Sequence, residues 1–245
     1  MQPSTGRANC WVCGRHSLAE VVSKCGKMPL GTALSALEGM KLDKLAVKAE
    51  KQAAGRVALP SGVEPMGPAH RRYLRERGFN DHEIESLWQV EGIGISAKLG
   101  WRLFIPIVLN GEVVSWTSRA IGEKSRYLSA SLDEEKVHHK ETLYGIDLVR
   151  TTIIVSEGPT DAWNIGPSGT CMFGLKYTPS QVHLIAQFPN RVICLDSSSD
   201  AQKVARDLCE TLSLFPGRTT NVVLDAEDPG SADRKEIKKM REAVL

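Results

Sequence analysis

The sequence predicts an α/β protein. A parallel sheet with flanking helices is expected over residues 151–245, preceded by a mixed α+β basic segment over 68–150. Three observations lead there. From Thr151 onward, short β-branched or aliphatic runs alternate with helix-length segments, the pattern of strands whose two faces are both covered. Two of these runs, Ile153–Val155 and Val192–Leu195, lead into the carboxylates Glu157 and Asp196. Such acids emerge at the carboxyl ends of parallel strands, where open α/β sheets bind ligands. Upstream, Arg102–Leu109 and Glu112–Arg119 flank Asn110-Gly111, a dipeptide that suits a tight hairpin turn.

Composition sets the outer bounds. The 245 residues suffice for one large domain or two small ones, and 42% hydrophobic with 24% charged residues is ordinary soluble composition. No apolar run approaches the ~20 residues of a membrane span. The amino terminus lacks the charged-then-apolar pattern of a secretory signal, so a cytoplasmic protein with no membrane partner is expected. The net charge of +2 divides unevenly: +4 over residues 1–65, zero over 66–150 and −2 over 151–245. A uniformly basic nucleic-acid coat is excluded, and any nucleic-acid contact must come from local clusters.

Taken in order, residues 1–28 form a zinc-ribbon-like segment. Cys10-Trp-Val-Cys13-Gly14 is one half of such a ribbon, two thiolates around a turn that can wrap a tetrahedral metal. His16 and Cys25 are weaker candidates to complete four zinc ligands; the alternative is a ribbon remnant that holds no metal. Residues 29–67 read as short helices, with Leu30, Leu34 and Leu37 at helical spacing, and then a Pro/Gly-punctuated linker from Pro60 to Pro68. The segment 68–150 opens with a helix carrying Arg71, Arg72, Arg75 and Arg77, a solvated face or a phosphate-binding patch. Asn80 or Asp81 caps a second helix through Trp88. In the hairpin that follows, Arg102 and Arg119 at the strand ends could point into a common groove. In the last segment, Thr178-Pro179 starts a helix, another runs from about Asp200 to Leu214, a short segment lies at Cys171–Phe173, and a final strand is expected at Asn221–Leu224. Cys171, Cys194 and Cys209 read as small buried hydrophobes.

These elements, in this order, resemble the TOPRIM-type DNA primases of bacteria and phages. Ser156-Glu157-Gly158 with Asp161 is similar to the family's Glu-Gly-x-x-Asp motif, and Cys194-Leu-Asp196 to the start of its Asp-x-Asp. Glu227-Asp228-Pro229 is similar to its Asp-Pro motif. Tyr73-Leu-Arg-Glu-Arg-Gly-Phe79, Trp101–Ile107, Ser118-Arg119, Arg126-Tyr-Leu-Ser129 and Lys140–Gly145 resemble successive landmarks of the primase polymerase core. Cys10-x-x-Cys13-Gly14 resembles the second half of the primase zinc ribbon. The resemblance covers about residues 9–25 and 70–240, without the helicase domain that some phage primases carry. The second acid of Asp-x-Asp is replaced by Ser198, with Asp200 two positions on as the replacement candidate.

The resemblance implies synthesis of short RNA primers on single-stranded DNA from ribonucleoside triphosphates, with a separate replicative helicase as a further partner. It implies Mg²⁺ or Mn²⁺ held by Glu157, Asp196 and Asp228, with Glu157 either a ligand or the base for the 3′-hydroxyl. Asp200 would either replace the missing acid as a Mg²⁺ ligand or cap the helix that follows it, and zinc would belong to the cysteine segment. Arg102, Arg119, Arg126 and Lys140 would bind template or triphosphate. Two other readings stay open: a TOPRIM nuclease that uses water as nucleophile, and a non-catalytic adaptor that binds single strands.

Overall fold

A computed structural model describes residues 7–10, 14–25, 27–33, 56–96, 99–122 and 127–244. The chain forms two compact units, residues 1–53 and 54–245. In the first, β1 (Arg7–Cys10) and β2 (Gly14–Ser17) pair antiparallel and run into α1 (Leu18–Cys25). Ser17 and Glu20 cap α1 reciprocally. Ser17 Oγ accepts from the Glu20 N–H at 3.2 Å, and Glu20 Oε2 accepts from the Ser17 N–H at 2.6 Å. Cys10, His16 and Cys25 fall on β1, β2 and α1 respectively. Cys13 lies outside the described residues, as does most of the helical stretch expected after Leu30.

The second unit contains two sheets. The first consists of β3 (Val63–Glu64), β4 (Glu91–Ile93), β5 (Arg102–Leu109), β6 (Glu112–Ala120) and β7 (Tyr127–Ser129), antiparallel in that spatial order. Helices α2 (Pro68–Glu76) and α3 (Asp81–Trp88) connect β3 to β4. Asn80 caps α3, its side chain accepting from the His82 and Glu83 N–H groups. The Asn110-Gly111 turn closes the β5–β6 hairpin as expected, with both residues at positive φ, 55° and 78°.

The second sheet is built from β8 (Thr152–Ser156), β9 (Gly169–Cys171), β10 (Asn190–Ile193) and β11 (Arg218–Asn221). It is parallel throughout, in the order β11-β10-β8-β9. Between its strands run α4 (Pro159–Ile165), α5 (Pro179–Ala186) and α6 (Ser199–Leu212), and α7 (Arg234–Val244) follows. Alternate strand residues face opposite layers, as the two-residue period of a strand requires. Ile153, Val155 and Ile193 pack with Val182, Ile185, Ala205 and Leu208 of α5 and α6. Ile154, Val192 and Cys194 pack with Ile165, Ile237 and Met240 of α4 and α7.

Two strand positions differ from the sequence reading. The last strand is Arg218–Asn221, because these residues pair with Asn190–Ile193 directly after the Gly217 turn. Where the sequence marks only a short segment at Cys171–Phe173, the strand is Gly169–Cys171, held by pairing with Ile154–Ser156. A third apolar cluster joins the two sheets. Leu103, Ile105 and Ile107 of β5 meet Leu74, Phe79 and Trp88 of the α2–α3 pair, together with Trp163 and Cys171 from the parallel half.

Candidate active site

In the parallel sheet, successive connections leave β8 in opposite directions: β9 lies on one side of it and β10 on the other. Such a switch point opens a crevice at the carboxyl ends of the strands. Glu157 follows β8 there, and Asp196 follows β10. Glu157 Oε1 accepts from the Asp196 N–H at 3.2 Å, which ties the two loops together. Asp228 is brought in by the loop after β11. That loop is fastened by Ser197 N–H to Glu227 O at 2.8 Å and by Asn164 Nδ2 to Pro229 O at 2.7 Å. Asp161 adds a fourth acid. It sits in the first turn of α4, where its Oδ2 accepts from the Gly158 N–H at 2.8 Å. Gly230 packs over this corner so closely that a Cβ would come within 2.7 Å of Asp161 Oδ1.

These four acids line one cavity of about 410 Å³, within the ~300–1,000 Å³ usual for small-molecule sites. A second depression of about 500 Å³, bordered by Phe79, Trp163, Arg234 and Arg241, contains none of them. Crowding and burial make Glu157, Asp161 and Asp196 reluctant to ionise together. The Glu157 carboxyl is pushed up to about 7, chiefly by burial and then by the Asp196 carboxylate. Asp161, 6% exposed, is also pushed up to about 7, mainly by burial, against the opposing Gly158 hydrogen bond. Asp196 is raised by burial and then by Asp228. A cluster of carboxylate oxygens is the donor set that hard divalent cations prefer. By the chemistry of their donor atoms these residues fit a hard divalent cation.

The opposite wall comes from the antiparallel sheet. Arg119 on β6 is 4% exposed and held by two phenols, its Nε donating to Tyr73 Oη and its Nη1 to Tyr127 Oη, both at 2.6 Å. Its guanidinium also lies 5.0 Å from the Tyr127 ring centre. Thr117, Ser129, Arg77 and His139 line the same wall. Of the arginines at 71, 72 and 75 on α2 and at its C-cap 77, Arg71 and Arg75 are engaged by Asp81, and Arg71 also by Glu85; Arg77 alone of the four borders this cavity.

The structure redistributes the expected basic residues. Arg102 and Arg119 do not share a groove. Arg102 stands opposite Ala120, whereas Arg119 stands opposite Leu103, so the two arginines project to opposite faces. Arg102 is buried, with its Nε donating to Ser118 Oγ at 2.9 Å, and serves the far face of the sheet. Lys140 Nζ donates to the Met172 and Phe173 carbonyls at 2.8 and 3.1 Å. It thereby anchors the loop after β9 instead of lining the cavity. Arg126 lies outside the described residues. Ser198 caps α6, its Oγ accepting from the Ala201 N–H at 3.3 Å. Asp200 is exposed in the first turn of α6 and is not among the cavity-lining residues. Asp161 is a fourth acid that the sequence marks only by its place in the Glu-Gly-x-x-Asp motif. Tyr73 and Tyr127 carried no such signal, because their role depends on where Arg119 points.

The fold that carries these residues is similar to that of solved primase catalytic cores. Compared by sequence, the chain matches no family model and no curated protein. Compared by structure, it is similar to a DnaG catalytic core, with a TM-score of 0.63 and 23% identity over 74% of this chain and 73% of that one. It is also similar to a DnaG primase catalytic domain bound to ssDNA, with a TM-score of 0.61 and 20% identity over 74% and 71%. The zinc-binding and RNA polymerase domains of the Aquifex aeolicus primase match with a TM-score of 0.62 and 16% identity, over 99% of this chain and 73% of that one. At these identities the likeness establishes the fold. Among the described residues, no helix is long and apolar enough to cross a membrane.

Proposed function

We propose that this chain is a primase-like nucleotidyltransferase that joins ribonucleotides on a single-stranded DNA template. The observation that carries the reading is the pairing, across one cavity, of the Glu157, Asp161, Asp196 and Asp228 cluster with the clamped Arg119. In this reaction a primer 3′-hydroxyl attacks the α-phosphate of an incoming triphosphate, and pyrophosphate leaves. Arg119 binds the triphosphate, and its two tyrosine partners fix the guanidinium so that little rotational freedom is lost on binding. Arg77 and Thr117 border the same space and extend the contact with phosphate. Glu157, Asp196 and Asp228 hold the divalent cation, and Asp161 keeps one oxygen committed to the Gly158 N–H. When bound, magnesium or manganese would polarise the reacting phosphate and offset the charge on the leaving group. The ssDNA carried by one structural neighbour supports a single-stranded template as partner. A replicative helicase is a further partner on the same reading, and zinc would belong to the cysteine segment.

The test is primer synthesis on single-stranded DNA with labelled ribonucleotides and Mg²⁺ or Mn²⁺. We expect short RNA products from the wild-type chain and at least a hundredfold less from Glu157→Gln, in line with the loss of a group that stabilises transition-state charge. Template binding without any product from the wild type would establish the adaptor reading instead. Degradation of the template would establish the nuclease.

A further inference from the structure

Beside the catalytic cavity, and outside the acid cluster, Glu135, His138 and His139 bring one ligand atom each within 4.8 Å of one another. The Glu135 side chain is 2% exposed. Its Oε2 accepts from Ser115 Oγ at 2.6 Å and from the His139 N–H at 3.1 Å. Its Oε1 makes no hydrogen bond and lies 3.7 Å from His138 Nε2. A buried carboxylate oxygen without a partner is costly unless a cation or proton meets it. The two imidazoles stack with centroids 4.4 Å apart, and Glu135 Oε2 lies 3.4 Å from His139 Nδ1. Donor atoms bound at ~2.0–2.2 Å around one tetrahedral ion sit ~3.3–3.6 Å apart, so the three side chains close in slightly to hold one.

We propose that Glu135, His138 and His139 form a second metal site, selective for a zinc-class divalent ion and distinct from the carboxylate cluster. Two imidazoles with one carboxylate are a donor set that zinc accepts while leaving its fourth position to water or substrate. His139 borders the cavity, so the fourth ligand comes from there, as water or as a phosphate oxygen. Ser115 is the outer partner that orients the carboxylate. Occupation requires one rearrangement. His138 Nδ1 accepts from the Lys140 N–H at 3.1 Å, and ligation through Nε2 moves a proton to Nδ1, so that hydrogen bond must open.

The test titrates Co²⁺, a spectroscopic substitute for zinc, into the full chain in the presence of excess Mg²⁺. We expect about one equivalent of visible d–d absorption, no thiolate charge-transfer band from that equivalent, and displacement by Zn²⁺. Glu135→Gln and the double variant H138A/H139A should lose that absorption, and Ser115→Ala should weaken binding about tenfold. Far-UV circular dichroism checks the fold, and Ser115→Ala with the isosteric Glu135→Gln keeps the test usable if the double variant fails to fold. The site is overturned if the d–d absorption is missing, carries only cysteine charge transfer, or persists in a folded H138A/H139A variant. Loss of cobalt binding leaves the primer-synthesis assay unchanged as a test, so the two proposals fail separately.

Discussion

Ser198 shows how one side chain can sit between two roles. Its hydroxyl caps α6, a position where Ser and Asp serve about equally well. In the resemblance to primases the same position carries the second acid of Asp-x-Asp, and a neutral hydroxyl is a poorer ligand than a carboxylate for a hard cation. Asp200 is exposed in the first turn of α6 and does not line the cavity that holds the acids around Glu157. Ser198→Asp should therefore keep the helix and strengthen the metal site. We expect the Mg²⁺ concentration for half-maximal primer synthesis to fall roughly tenfold, with the thermal midpoint unchanged in the absence of metal. A metal requirement identical to that of the wild type would exclude Ser198 from the cluster's surroundings. Much of this was legible in the sequence: Glu157, Asp196 and Asp228 are read from short motifs whose acids follow strand ends. Asp161 was harder to read, because a carboxylate in the first turn of a helix also serves as a cap.

At the level of elements, the face to which each arginine points depends on one extra residue. A two-residue turn at Asn110-Gly111 starts the register at Leu109 opposite Glu112. Continued without interruption, that register would set Arg102 opposite Arg119 on a shared face. A bulge intervenes: Val108 pairs with Val113 and Ile107 with Ser115, so Val114 is the extra residue. Every later pair slips by one, and the two arginines part company. The apolar alternation of this hairpin is too uniform to reveal such a bulge, which is why the sequence reading joined Arg102 and Arg119. The α2–α3 pair makes a second element-scale case. Asp81, buried at the start of α3, receives Arg75 Nε at 2.8 Å and Arg71 Nη1 at 3.2 Å. Hydrogen bonds from Arg75, then from Arg71, hold its carboxyl far below the usual range. A carboxyl depressed in the folded state contributes stability that is present above its unfolded pKa, near ~3.9, and lost as pH falls toward the folded value. Asp81→Asn should therefore lower the melting temperature by a few degrees at pH 7. The difference from wild type should hold above about pH 5 and shrink below about pH 4. A gap that stays constant down to pH 2 would show that the ion pairs do not couple the helices.

Across residues 54–245, the cavity exists only because two sheets share a core. Aromatic contacts do much of the joining. Trp163 of α4 meets Phe79 edge-on at 5.6 Å and donates its indole N–H to Tyr144 Oη at 2.8 Å, while Tyr144 stacks on Trp88 at 5.3 Å. Phe79 and Trp88 belong to the α2–α3 pair and Trp163 to the parallel half, so acids and arginine are held face to face by these rings. Such a shared core predicts a single cooperative unit rather than two sheets that open independently. Trp163→Ala tests this directly. Removing a buried Trp costs ~3–5 kcal/mol, and the loss should appear in both sheets. Amide hydrogen exchange read peptide by peptide would check it: protection in β5 and β6 should fall by the same free energy as protection in β8 and β10. Ile105 and Ile154, both fully buried in different layers, provide suitable reporters. If protection falls in the parallel sheet alone, the antiparallel sheet has its own stability and the cavity opens between them. If both fall together, the wall that carries Arg119 and the wall that carries Glu157 share one folding equilibrium, and destabilising either disperses the site.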